Sequence, residues 1–405
     1  MPDVDAPDPA TGGHTAPMRA LLATVASFWP EAEVRLGRVR PARDRALEGT
    51  RWQVVPDLRR PRMLLPRGRR EAAGALLRFS AALSARETVS RLGTAAAAAG
   101  LGPGALAPDS VSVVGGGDSL ARHLAEELGH EVSFSITIGT VRANRKPVLQ
   151  LFDPRGRCVG FAKVGDTAVA RGHIAGESAA LHAVEGRLGP GIGVPRVLSL
   201  TQWRGMLVLL ISQLPTRPQD PRQAGRIPLP EMRSFADRLA TGSAALRDVP
   251  QWSRLAGTID RLASPALRAA LADGLDRLGS AAGDREFGVG AWHGDWTAWN
   301  MARRGGILQL WDFERFETGV VTGLDPFHYA VNTAVRSRGF TVDAVLGGVR
   351  DALHQVGDTA EARVLARVHL AALGVRYAAF AEQDGGSVVA PRAALMAEAL
   401  RVWLP

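Results

Sequence analysis

The sequence predicts an α+β fold built as two lobes. Three observations lead there. Strand patterns crowd residues 132–211, helical patterns fill the chain beyond 215, and Pro215-Thr216-Arg217-Pro218 breaks the sequence between them. At 405 residues the chain is long enough for two or three domains. Its apolar share of 46% and charged share of 22% suit packed cores and exclude gross disorder.

Residues 1–17, acidic and rich in Pro and Gly, read as a flexible tail. Residues 18–110 read as an appended domain, with short strands at 51–55 and 62–65 and Ala-, Leu- and Arg-rich helices at 71–83 and 86–99. Gly100-Leu101-Gly102-Pro103-Gly104 then interrupts the chain.

Residues 111–215 form the expected small lobe. β-branched alternation marks a strand at 132–138, and a second follows at 147–152. Asp153-Pro154-Arg155-Gly156 is a turn signal that leads into a third strand at 159–164. A helix at 176–188 and a strand pair at 196–200 and 206–211 complete the order β-β-β-α-β-β. Residues 216–405 form the expected helical lobe, with amphipathic helices at 231–247 and 265–278 and three more at 343–356, 359–383 and 391–403. No internal repeat is present.

Composition narrows the function classes. The single cysteine, Cys158, rules out a disulfide framework and a Cys-rich zinc site, and reads as a small strand residue. The N-terminus lacks the basic start and apolar stretch of a signal peptide, and the run 206–211 is too short to span a membrane, so the expected setting is cytoplasmic. The formal charge of +9 lies mainly in the first half, because from Pro221 onward 21 Arg face 20 Asp and Glu. The arginines at 59, 60, 62, 67, 69 and 70 have no interleaved aromatics, so they read as a solvated face or a domain contact, and no nucleic-acid partner is expected. Only Lys146 and Lys163 are lysines among the 49 basic residues, which makes each worth placing.

The segment 291–317 carries the chemistry. Asp295 and Asp312 lie 17 residues apart with Asn300 between them. Gly305-Gly306 marks a hairpin joining strands at 300–302 and 307–311, which brings both acids and the amide to one end. Hard oxygen ligands converging there suit Mg²⁺ together with substrate phosphates. No Cys/His cluster offers a transition-metal site.

His293-Gly294-Asp295, with Asn300 five residues after the acid and Trp311-Asp312-Phe313-Glu314 following, resembles the aminoglycoside phosphotransferase-like family. That family shares the protein-kinase-like fold, so the resemblance implies a small β-rich lobe and a large helical lobe. It implies that Asp295 is the catalytic base, accepting the proton of a substrate hydroxyl, and that Asn300 and Asp312 hold Mg²⁺. It asks for a lysine on the third strand of the small lobe and a glutamate on the next helix. Lys163 and Glu177 stand there, Glu177 being preferred to Glu185 because it lies nearer the start of that helix. The strand ending at 211 resembles the interlobe hinge, where the backbone of Ser212 and Leu214 would meet the adenine of ATP, with GTP left open.

The resemblance covers residues 130–335 and departs from pattern at 138–146. That loop holds one glycine instead of G-x-G-x-x-G, so Arg142, Arg145 and Lys146 either approach phosphate or form a solvated turn. Gly115-Gly116-Gly117 also fails that spacing and reads as a plain turn. His293 reads as a brace for the loop, Glu314 as a metal neighbour of undecided role, and Asp325 as a helix cap or an anchor for the loop backbone. Each of the four tryptophans around the motif reads first as buried packing, and within the rival reading of substrate contact Trp296 and Trp299 are favoured over Trp292 and Trp311.

The implied activity is transfer of the γ-phosphoryl group from ATP to a small-molecule hydroxyl. A near-neutral helical lobe favours a sugar or other weakly charged acceptor over a polycationic aminoglycoside. The rival reading is a non-catalytic nucleotide-binding scaffold. A protein kinase is disfavoured by the missing Gly-rich loop and the lack of an A-P-E-like segment.

Overall fold

The computed structural model describes residues 16–38, 50–59, 61–77, 85–115, 117–137, 146–216, 226–383 and 386–403. The fold is α+β. Its elements begin with α1 (Ala16–Phe28), β1 (Glu33–Arg38), β2 (Thr50–Val55), β3 (Met63–Pro66), α2 (Arg69–Leu76), α3 (Ala85–Leu101), β4 (Asp109–Val114) and α4 (Leu120–Leu128). Next come β5 (Ser133–Thr137), β6 (Val148–Phe152), β7 (Cys158–Gly165), α5 (Ala168–Val184), β8 (Ile192–Gly193), β9 (Val197–Trp203) and β10 (Met206–Ser212). The chain continues through α6 (Leu229–Arg238), β11 (Gly242–Ala245), α7 (Pro250–Asp260), α8 (Pro265–Ala282), β12 (Glu286–Trp292), β13 (Met301–Arg304), β14 (Ile307–Leu310) and β15 (Glu317–Val321). It ends with α9 (Asp325–Arg338), α10 (Val342–Val356), α11 (Ala360–Ala381) and α12 (Ala390–Trp403).

These elements fall into two compact units. The first takes its described residues from 1–78, 85–174 and 197–213, and the second from 175–196 and 214–405. In the first unit nine strands, counted among the described residues, make one sheet in the order β1-β4-β2-β3-β5-β6-β7-β10-β9. Every neighbouring pair is antiparallel.

That sheet corrects the reading of residues 18–110 as a domain of their own. β3 pairs with β5 through Met63 opposite Thr137 and Leu64 opposite Ile136, so the early strands continue the later ones. The core is shared too. The Trp52 indole N–H donates to the Phe134 carbonyl at 2.8 Å, and Trp29 stacks on Phe134 at 5.8 Å while meeting Trp52 edge-on at 5.1 Å. The apolar side chains of the early segment are buried against those of 134–210, and burial removes apolar surface from water whichever part of the chain supplies the partner. The tail reading is corrected at its end, since α1 begins at Ala16; residues 1–15 lie outside the described residues.

Two strands of this unit read weakly in sequence. β1 carries charged Glu33, Arg35 and Arg38 on an edge, and β4 is a short apolar stretch. Of the glycine run at 115–117, Gly116 lies outside the described residues; beyond it Asp118 accepts from Arg204 Nε at 2.7 Å and Trp203 Nε1 at 3.2 Å, and Ser119 caps α4. The described arginines of the early cluster, 59, 62, 67, 69 and 70, are exposed.

In the second unit the helix expected at 231–247 stops at Arg238. Gly242 at φ +147° opens β11 instead, which pairs with β12, and β12 pairs with β15. A smaller sheet joins β13 and β14 antiparallel and adds β8 parallel to β14. Ser264, Thr341 and Thr359 cap α8, α10 and α11 by accepting backbone N–H bonds. Among the described residues α11 alone is long and apolar enough to cross a membrane by length and composition. Most of that stretch is buried inside the protein, and it packs against α8 and α12, as a core helix does.

Candidate active site

β12 delivers its last residue, the buried Trp292, to His293-Gly294-Asp295. Three contacts fix the backbone of that turn. Asp325 Oδ2 accepts the N–H of His293 at 3.0 Å and Oδ1 accepts that of Gly294 at 3.1 Å. Arg376, on α11, donates to the Gly294 carbonyl at 2.6 Å and lies with its Cζ 5.0 Å over the Trp292 ring. Gly294 adopts φ +72°, and a Cβ there would run into the Arg315 carbonyl, so only glycine fits. Asp325 therefore does not cap α9, whose N-cap residue makes no side-chain bond; it anchors the loop.

His293 is fully buried and packs edge-on against Phe313 at 4.6 Å. Its Nδ1 accepts the N–H of Asp295 at 3.2 Å, and burial pushes its pKa down to about 4. A neutral ring that accepts from the loop is a brace, as its sequence position suggests.

Asp295 is held on both oxygens. Asn300 Nδ2 donates to Oδ2 at 2.9 Å and to the Asp295 carbonyl at 3.0 Å, and His328 Nε2 lies 3.2 Å from Oδ1. Burial, with the charge of Asp312, raises the Asp295 pKa to about 6; Arg376 and Arg315 oppose the rise. The carboxylate is thus ionised at neutral pH but more basic than an ordinary aspartate, which suits a group that takes a hydroxyl proton. Burial also pushes His328 down to about 3, so it meets Asp295 as a neutral N–H donor and not as half of an ion pair.

The hairpin of β13 and β14 joins Asn300 to Asp312. The Trp311 N–H donates to the Asn300 carbonyl at 3.0 Å, which sets Asp312 one residue beyond the paired end. Asp312 sits at φ +72°, ψ +60°, a left-handed conformation rare for a non-glycine residue and common where function fixes the backbone. Because the Asn300 amide nitrogen is spent on Asp295, its oxygen is the atom left to act as a ligand. One amide oxygen and one carboxylate fit Mg²⁺, which draws further ligands from water and phosphate. Among the described residues no three His, Cys, Asp or Glu side chains gather as a metal site, so the donor set is not that of an all-protein cage.

The other expected residues lie as follows. Lys163 is buried on β7, between Val148 of β6 and Leu209 of β10. Glu177 is buried in α5, whereas Glu185 is exposed with His182 Nδ1 3.8 Å from its carboxylate. Since α5 starts at Ala168, Glu177 is mid-helix and not near its start. Ser212 ends β10 opposite Gly160, and Leu214 follows two residues on, half-buried. Lys146 Nζ lies 3.3 Å from His173 Nδ1, while Arg142 and Arg145 lie outside the described residues. Trp296 follows its first reading as packing and not the rival one of substrate contact: it is fully buried, edge-on to Phe235 at 5.4 Å. Trp299 is half-buried, with Arg336 Cζ 5.1 Å above its ring.

The sequence did not single out His328 or Arg376. A signal existed for His328, which stands three residues after Asp325 and so on the same helical face. None existed for Arg376, one arginine among many.

No family model matches the chain, and no curated protein matches it. Solved structures do. One is a thermostable mutant of an aminoglycoside phosphotransferase in ternary complex with ADP and hygromycin B. It is 14% identical, with a TM-score of 0.49, over 71% of this chain and 98% of the other. An amicoumacin kinase bound to AMP-PNP and Ca²⁺ is 12% identical over 66% of this chain and 88% of its own, with a TM-score of 0.38. A spectinomycin phosphotransferase bound to ADP and spectinomycin is 12% identical over 70% and 93%, also with a TM-score of 0.38.

Proposed function

We propose that this protein transfers the γ-phosphoryl group of ATP to a hydroxyl of a small molecule. The observation that carries the reading is the Asp295 carboxylate, pinned on both oxygens by Asn300 and His328 and backed by Asp312. Asp295 takes the hydroxyl proton as the acceptor oxygen attacks the γ-phosphorus in line, and the bond from that phosphorus to the β–γ bridging oxygen breaks, releasing ADP. Asn300 and Asp312 would hold Mg²⁺, which neutralises charge on the phosphates when bound. Lys163 binds the α- and β-phosphates with Glu177 as its partner, and the backbone of Ser212 and Leu214 meets the adenine. Catalysis then comes from positioning and electrostatics, with no covalent intermediate required. Use of ATP is in keeping with a cytoplasmic setting.

For the acceptor we favour a sugar or other weakly charged metabolite over a polycation. A cavity of about 330 Å³ in the second unit is lined by Trp292, Arg254, Glu314, Arg315, Glu317 and Arg376, together with apolar residues. Two of these lining residues, Arg315 and Arg376, also act electrostatically on Asp295. Three arginines and two glutamates line it, so the wall lacks the acidic excess that would attract a polycation.

The test is ATP consumption in the presence of Mg²⁺ across sugars, amino alcohols and aminoglycosides. Turnover on a neutral hydroxyl compound, lost in Asp295→Asn with ATP binding kept, is the expected result. Turnover confined to aminoglycosides would overturn the acceptor class, and full activity of Asp295→Asn would overturn the base.

A further inference from the structure

We infer that His328 is the residue that aims the Asp295 carboxylate at the acceptor hydroxyl, by donating its Nε2–H to Oδ1. The inference rests on the reading of Asp295 as the base and adds a residue to it.

The geometry begins with one turn of helix. α9 places Asp325 and His328 three residues apart, on one face. The first holds the backbone of His293 and Gly294, and the second reaches the side chain of the next residue, Asp295. A single rigid element therefore fixes both where the loop runs and how its acid is turned. His328 itself has little freedom. It is 3% exposed, edge-on to Trp292 at 6.3 Å and to His369 at 5.7 Å, and its carbonyl accepts from Asn332 Nδ2 at 2.9 Å.

The chemistry sets the direction of the bond. An ionised carboxylate only accepts, so the proton must sit on Nε2 of His328. With Asn300 on Oδ2 and His328 on Oδ1, rotation of the carboxylate about its last bond breaks one or both bonds. The lone pairs left over are those that face the incoming hydroxyl. A misplacement of about 1 Å at such a group costs on the order of a hundredfold in rate, so a donor that prevents rotation acts on turnover and not on nucleotide binding.

The experiment compares His328→Gln, whose amide nitrogen can stand near the place of Nε2, with His328→Leu, which keeps the bulk and removes the donor. In a phosphoryl-transfer assay His328→Leu should lose roughly tenfold to a hundredfold in kcat, with KM for ATP within about twofold of wild type. His328→Gln should recover most of that loss. Crystal structures of the three proteins form a second arm that needs no acceptor. Asp295 should keep its orientation in wild type and His328→Gln and turn away in His328→Leu. Equal impairment of the two variants, or an unmoved Asp295 in His328→Leu, overturns the inference. A wild-type protein without turnover on any hydroxyl would count against the phosphotransferase reading, while the structural arm would still decide the role of His328.

Discussion

Asp325 Oδ1 accepts the amide proton of Gly294 at 3.1 Å, across 31 residues of chain, while its other oxygen takes the amide of His293. The carboxylate is 6% exposed, and burial raises its pKa to about 6 against the pull of those two bonds. Asp325→Ala would leave two buried N–H groups without partners, each costing about 1–3 kcal/mol. We expect a loss of stability of about 2–5 kcal/mol by urea unfolding, with no more than about half recovered in Asp325→Asn, which keeps one acceptor of the two. A loss under about 1 kcal/mol would show that the loop holds without its anchor.

Asp295 predicts a conflict between stability and activity. Its folded pKa of about 6 lies above the ordinary 3.8, so the folded state binds the proton more tightly than the unfolded chain does. The contribution to stability is present below 3.8 and is lost as pH rises through about 6, after which the ionised group opposes folding. Asp295→Asn removes the charge but gives up one of the two clamping bonds. In the metal-free protein it should therefore gain about 1–2 kcal/mol at pH 7.5 and progressively less towards pH 4. Denaturant unfolding with a chelator at several pH values reads this directly. A gain that grows on acidification would contradict the raised pKa.

Part of the candidate site was legible because three of its residues are close in sequence and their spacing is set by one hairpin. The register that puts Trp311 against Asn300 follows from Gly305-Gly306, so Asp295, Asn300 and Asp312 were found together. The chosen glutamate came out buried for a reason the sequence did not hold, since α5 starts eight residues earlier than its pattern suggested. Asp325 was already read as a helix cap or an anchor and His328 stands one helical turn beyond it, but Arg376 reaches the loop from α11, and no local pattern encodes a contact over 82 residues. Trp296 carried two readings because an aromatic side chain suits a core or a substrate until Phe235 is seen beside it. β11 was lost inside a helical pattern because Ala-rich residues around Gly242 gave no strand signal.

The pH dependence of turnover should follow Asp295. The base works ionised, so kcat/KM should climb about tenfold per pH unit on the acidic side and level off near or below pH 6. Arg315 lowers the Asp295 pKa through its charge, and Arg315→Gln removes that help. The acidic limb should then move to higher pH, while Arg315→Lys leaves it close to wild type. A limb that stays in place or moves to lower pH in Arg315→Gln would separate the pH profile from Asp295.

The shared sheet makes the early segment indispensable to the first unit. A chain truncated to begin at Gly117 would lose α1 to β4, unpairing β5 from β3 and uncovering Phe134, whose ring now meets Trp29 and Trp52. Each large apolar side chain so exposed forfeits about 1.5–3 kcal/mol, and an unpaired strand edge invites association. Buried Ile136, Leu149 and Leu151 belong to the same core as Trp29, Trp52, Val54 and Leu64, so several such losses fall on one unit. Their sum exceeds the few kcal/mol by which a domain is stable. The truncated chain should therefore bind a hydrophobic dye and lack a cooperative unfolding transition in its strand-rich unit. Had residues 18–110 been a separate domain, the same truncation would leave cooperative unfolding and ATP affinity intact, so this one measurement separates the two architectures.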